Sequence, residues 1–150
     1  MKVQYSLFIA LSLFVILITG LTADEAENVI KYRQNVMKAI GGHTGAAASI
    51  IGNKVSYKAD LLDHAIALEA MTKNIPGLFP ADSDIGVTAA KEEVWSKRSA
   101  FLKLSEDTKK ASAAFTAAVK SKNDAKIMNS FQKLGESCKA CHKDFRAKNE

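Results

Sequence analysis

Both cysteines of the chain stand together near its end, in Cys138-Lys139-Ala140-Cys141-His142. Cys-x-x-Cys-His is the attachment sequence for c-type haem. On a helix, two thiols three residues apart lie on one face about one turn apart, so each can form a thioether with a vinyl group of the same porphyrin. His142, four residues after Cys138, can then bring its imidazole beneath the iron as proximal ligand. Three rival uses of these residues are weaker. A thioredoxin-like redox pair belongs at the end of a strand in a βαβ setting, and no alternating strand pattern of useful length occurs after residue 24. Zinc would need a fourth ligand, and only His43 or His64 offers another imidazole, from far away in sequence. A disulfide across so short a loop would stabilise almost nothing.

The elements that must position this motif are helical. Both prolines, Pro76 and Pro80, fall in one segment, Ile75 to Gly86, which leaves the chain on either side free of helix breakers. Val29, Arg33, Val36, Met37 and Ile40, then Thr44, Ala47, Ala48 and Ile51, recur at three- and four-residue steps and predict a first helix from about Asp24 to Ile51. Gly41, Gly42 and Gly45 weaken it by roughly 1 kcal/mol each, so it either kinks there or lets something large approach its backbone. Leu61, Leu62, Ala65, Ile66 and Leu68 form the inner face of a second helix, about Asp60 to Asn74, with Asp60 as N-cap. A third stripe starts near Thr88, runs through Val94, Trp95, Phe101, Leu102, Ser105, Thr108, Ala111, Phe115, Ala118 and Val119, and ends around Ser121 to Asn123. Asn123 caps the last helix, which carries Ile127, Met128, Phe131, Leu134, Cys138, Cys141, His142 and Phe145 on one side. The pattern predicts an all-α fold, an antiparallel four-helix bundle. Its inner faces are rich in Ala, Ser and Gly, as in a bundle that accommodates a guest or packs its helices closely.

Lys2 is the only charge before Asp24, and Leu7 to Ile18 is almost continuously apolar before Thr19-Gly20-Leu21-Thr22-Ala23. Residues 1–23 read as a signal peptide, which implies export to the periplasm and a mature domain over residues 24–150. The apolar run is shorter than the ~20 residues a membrane-spanning helix needs. Cleavage would remove Lys2 and no acid, taking the formal charge from +5 to +4. That balance favours an anionic partner or surface, but the basic residues are scattered among acids without interleaved aromatics, so no nucleic-acid partner is expected.

A helical bundle with its haem motif at the C-terminal end, followed by Phe145-Arg146, resembles the cytochrome c′ family. The resemblance extends to Tyr32-Arg33-Gln34 with Met37-Lys38, to Glu93-Val94-Trp95-Ser96, and from Ser137 through Arg146. It implies one covalently attached haem c, with Cys138 and Cys141 bonded to it, His142 as proximal iron ligand and first-helix residues over the other face. It also implies that Met37 stands on the distal side, either as an iron ligand or as an apolar lid. With ligation the protein is a monohaem electron carrier working through Fe(II)/Fe(III) with a redox partner protein; with a lid it is a five-coordinate module that binds nitric oxide or carbon monoxide. Ile75-Pro76-Gly77-Leu78-Phe79-Pro80 resembles the segment of methionine-ligated members. Arg146 is implied as a gate or charge partner beside the imidazole, or else it is a solvated arginine complementing the helix dipole. Arg33 either pairs with a haem propionate or snorkels from the bundle rim. A symmetric homodimer through the first two helices is typical of the family.

No Ser-His-Asp set, phosphate loop or paired carboxylates occur, and no distal acid–base pair suggests a catalytic haem, so the chain is not read as an enzyme. His64 reads as a surface or boundary histidine and His43 as a neighbour of the haem edge. Met71 and Met128 read as core.

Overall fold

The computed structural model describes residues 20–148. The apolar run assigned to a signal peptide lies, up to residue 19, outside the described residues. Among the described residues there are five α-helices: α1 (Ala23–Ile51), α2 (Leu61–Thr72), the single turn α3 (Glu93–Ser96), α4 (Arg98–Lys120) and α5 (Asp124–Phe145). The four longer ones form the expected bundle. No strand occurs among the described residues, only an isolated bridge between Ala90 and Arg146.

Each boundary has a local cause. Thr22 and Glu25 form a reciprocal capping box at the start of α1, with the Thr22 hydroxyl accepting from the Glu25 amide and the Glu25 carboxylate accepting from the Thr22 amide. Cleavage after Ala23 would remove this cap. The helix runs unbroken through Gly41, Gly42 and Gly45, and a Cβ at any of the three would meet nothing within 4 Å. It ends at Gly52, followed by Asn53 at φ 54°, a left-handed conformation that asparagine tolerates.

Asp60 occupies the N-cap position of α2, but its side chain makes no capping bond, because the 3₁₀ turn Lys58–Asp60 already feeds the chain in with helical dihedrals. The helix stops at Thr72, and a second 3₁₀ turn, Ile75–Leu78, holds Pro76. Asn123 caps α5 as its type suggests, accepting from the Lys126 amide at 2.9 Å.

The third stripe departs most from expectation. Residues 88–92 are not helical. The Lys91 amide donates to the Phe145 carbonyl at 3.0 Å and the Ala147 amide to the Ala89 carbonyl at 2.8 Å, so this stretch is held open by the end of α5. The helix then breaks at Lys97, between two side chains anchored on the proline segment. Trp95 donates its indole N–H to the Pro80 carbonyl at 2.8 Å, and Arg98 donates to the Pro76 carbonyl at 3.0 Å.

Two clusters fill the interior. An aliphatic one joins Ala47, Ile50, Leu61, Ala65, Leu68, Phe115, Ala118, Val119, Ile127 and Leu134 from all four long helices. An aromatic one joins Ile75, Phe79, Val94, Phe101 and Phe145, three of the five supplied by the proline segment and α3. Five residues assigned to inner faces are exposed instead: Ala48, Ile66, Leu102, Met128 and His142. Each lies at the edge of its stripe, where period alone does not decide which side of the boundary a residue takes. Around the bundle, α1 packs on α2, α2 on α4 and α4 on α5, but α1 and α5 make scarcely any direct contact.

Candidate haem site

Cys138, Cys141 and Met37 lie at the sparse junction of α1 with α5, whereas His142 is exposed. Cys138 and Cys141 are both half-buried with unpaired thiols. Cys138 packs against the aliphatic cluster and Cys141 against the aromatic one, so the thiol pair straddles the line between the two cores. Burial pushes both thiols up; Cys141 is pushed to about 11, with Cys138 and Asp144 adding to the effect. Across the junction, Met37 of α1 is half-buried and packs on the same aromatic cluster as Cys141.

Open ground adjoins both sides. Gly41, four residues after Met37, and Gly135, three before Cys138, each have nothing within 4 Å of where a Cβ would stand. Two thiols on one helical face and a thioether that packs on the same aromatic cluster from the facing helix are a donor set that suits a covalently held haem, with His142 following Cys141 in sequence.

His142 lies in an open cleft with Lys139, Lys143, Arg146, Ala147 and Lys148. Its imidazole is held below the ordinary histidine range, by partial desolvation first and by the charge of Arg146 second. Arg146 terminates α5: its amide donates to the His142 carbonyl and its backbone is extended. Its side chain is exposed beside the imidazole.

Arg33 does not snorkel. It is 2% exposed, with Nη1 donating to the Ser83 hydroxyl at 3.0 Å and Nη2 to the Thr88 hydroxyl at 2.8 Å. The guanidinium carbon lies 5.0 Å from the Phe79 ring centre and 5.6 Å from that of Trp95. Desolvation lowers its pKa and Asp84 opposes that shift. Arg33 thus pins the segment after the prolines onto α1, one turn before Met37. Ser83 and Thr88 are the residues that sequence reading missed. The available signal was Arg33 itself, a charge on an apolar stripe that must find partners when buried.

The family model described as Cytochrome C' matches residues 28–146. The chain belongs to the cytochrome c′ family. Among relatives of this cytochrome, the cytochrome c′ of Pararhodospirillum photometricum is 31% identical over 121 residues, 80% of this chain and 97% of that one. A cytochrome c-556 of Agrobacterium tumefaciens (strain II Chrys) is 32% identical, over 79% of this chain and 97% of its own. Among solved structures, the cytochrome c′ of Rubrivivax gelatinosus has a TM-score of 0.76 at 26% identity, covering 81% of this chain and 96% of that one. A nitric oxide complex of a cytochrome c prime variant from Alcaligenes xylosoxidans has a TM-score of 0.75 at 24% identity, with coverages of 82% and 97%. The four-helix-bundle fold and the covalent haem c expected from the sequence are those of the family. None of the helices among the described residues is long and apolar enough to cross a membrane.

Proposed function

We propose that this cytochrome c′ is a periplasmic electron carrier in which Cys138 and Cys141 hold the haem, His142 ligates the iron and Met37 supplies the opposite ligand. The haem supplies a one-electron Fe(II)/Fe(III) couple. The supporting observation is that Met37 and Cys141 pack on one aromatic cluster although their helices scarcely touch, which sets a thioether across the junction from the attachment thiols. A methionine bonded in both oxidation states needs no rearrangement on electron transfer, and it raises the potential. Arg33, buried one turn before Met37, brings a positive charge that suits a propionate, and Arg146 acts as charge partner to His142. Lys139, Lys143 and Lys148 line the His142 cleft and form no ion pair among the described residues, which suits an anionic face on a redox partner. Exposed Tyr32 on α1 and Ile66 on α2 leave apolar surface for a symmetric homodimer. Its work is binding and electron transfer, not catalysis.

A second reading rests on the same side chain. Met37 is half-buried against apolar neighbours and serves equally as a lid. Solved relatives are a nitric oxide complex and a carbon monoxide-bound variant. In that reading the chain is a five-coordinate module for nitric oxide or carbon monoxide. Optical spectra of the purified protein, ferric, reduced, and reduced under carbon monoxide, separate the two. The carrier reading expects low-spin spectra with a methionine-to-iron charge-transfer band that Met37→Ala abolishes, and no response to carbon monoxide. High-spin spectra that shift with carbon monoxide overturn it in favour of gas binding.

A further inference from the structure

One buried donor is left over by the bundle's own hydrogen bonds. Among the described residues, Nη1 of Arg98 is the single buried side-chain nitrogen or oxygen without a hydrogen-bond partner. The rest of the group is fixed: Nη2 donates to the Pro76 carbonyl at 3.0 Å, and the guanidinium carbon lies 5.2 Å from the Phe101 ring centre. No carboxylate answers the charge, for Arg98 forms no ion pair among the described residues. A buried guanidinium N–H is costly until an acceptor meets it, and a carboxylate is the acceptor that its planar fork fits best. We infer that Arg98 holds a propionate carboxylate of the haem through Nη1.

The place of Arg98 in the fold points to the same group. Phe101, over which its guanidinium lies, belongs to the aromatic cluster on which Met37 and Cys141 also pack. Phe101 and Phe79 are 5.1 Å apart, with Arg98 over the first ring and Arg33 at 5.0 Å over the second. Two cations thus sit against one ring pair beside the attachment thiols, and a haem has two propionates. The two arginines differ in what is already engaged. Both terminal nitrogens of Arg33 donate to hydroxyls, those of Ser83 and Thr88, whereas Arg98 keeps one terminal nitrogen without a partner. Arg98 also opens α4, so its bond to Pro76 sets where the charge stands. The inference rests on the haem placement proposed above, and not on whether Met37 ligates the iron.

The test is a redox titration and a resonance Raman spectrum of the haem-loaded protein, on the parent, Arg98→Leu, Arg98→Gln and Arg98→Lys. The guanidinium offsets the negative charge of the propionate, and without it that charge favours Fe(III). Arg98→Leu and Arg98→Gln should therefore lower the reduction potential, moving the Fe(III)/Fe(II) ratio at fixed potential about threefold, or about 28 mV at about 59 mV per tenfold for one electron. The propionate bending band should shift in Arg98→Leu. Arg98→Lys keeps the charge and should restore most of the potential. A side chain that only braces Pro76 would lower urea stability in the leucine variant and leave potential and band where they are; that result overturns the inference. So does a lysine variant whose potential falls as far as that of the leucine variant. Arg98→Gln, a neutral donor that still reaches Pro76, carries the same comparison of potentials if the leucine variant does not fold. Failure of the haem placement would show separately, as haem retained when Cys138 and Cys141 are both replaced by alanine.

Discussion

The two interior clusters are built by different means. The aliphatic one is made by long helices alone, and its polar members are satisfied within or between neighbouring helices: Thr72 and Ser112 share a hydroxyl hydrogen bond of 2.6 Å, and Thr116 donates to the Ala65 carbonyl at 3.1 Å. The aromatic one depends on irregular backbone. Phe101 stacks edge-on against Phe79 at 5.1 Å and against Phe145 at 5.3 Å, so it ties α4 to the proline segment and to the end of α5. Periodic helix packing closes one region, while the other is closed by directional contacts that tolerate little displacement. Cys138 faces the first and Cys141 the second, so haem attached at these two thiols would join a generic core to a specific one.

The sharpest break of this comparison removes its junction. Cys138→Ala combined with Cys141→Ala should abolish covalent haem retention; a variant that kept haem through acid–acetone extraction would contradict the assignment. Next come the two clusters themselves. Phe101→Ala and Leu68→Ala should cost about 3–5 and about 2–5 kcal/mol respectively in urea denaturation. Only Phe101→Ala should also disturb the optical spectrum, through the cluster it shares with Met37 and Cys141.

Arg33→Leu removes two charge-assisted hydrogen bonds, for about 3 kcal/mol at roughly 1.5 kcal/mol each. Ser83 still donates to Pro80 and Thr88 still accepts from the Ala90 amide, so the segment should loosen without collapsing. Limited proteolysis between residues 81 and 88 should accelerate, and an unchanged cleavage pattern would contradict Arg33 as its anchor.

The smallest effect lies outside both clusters. The Glu25 carboxylate is held below the ordinary glutamate range by the Thr22 amide first and the Thr22 hydroxyl second. Because its folded pKa is depressed, the box is fully present above the ordinary glutamate pKa and is lost as pH falls through the lowered value. Backbone carbon shifts of residues 23–26, measured on chain that retains Thr22, should move towards coil in that window while the rest of α1 stays helical.

The difference between the clusters also explains what was legible in the sequence. The long helices announce themselves through the spacing of residues such as Val29, Ile40, Phe115 and Leu134, and the haem pentapeptide is contiguous, so its placement on one helical face follows from period alone. The aromatic cluster was not legible. Nothing in the spacing of Trp95 or Arg98 says that they bond to Pro80 and Pro76, and the helical stripe drawn back to Thr88 hid the backbone pairing with residues 145–147. Arg33 finds its partners fifty and fifty-five residues away. The 2.9 Å hydrogen bond between the imidazoles of His43 and His64 likewise depends on the angle at which α1 and α2 pack, which period does not encode.

The sparse junction of α1 with α5 bears on how the chain assembles. Each long helix packs chiefly on its successor in sequence, so the polypeptide can build most of its structure from local contacts, which favours rapid folding. What local contacts leave undone is joining the first helix to the last, the pair with the greatest loop-closure cost. Haem attached through Cys138 and Cys141 on α5 and met by Met37 on α1 would fasten that junction after the helices have formed, and cofactor incorporation would then also be the final step of ring closure.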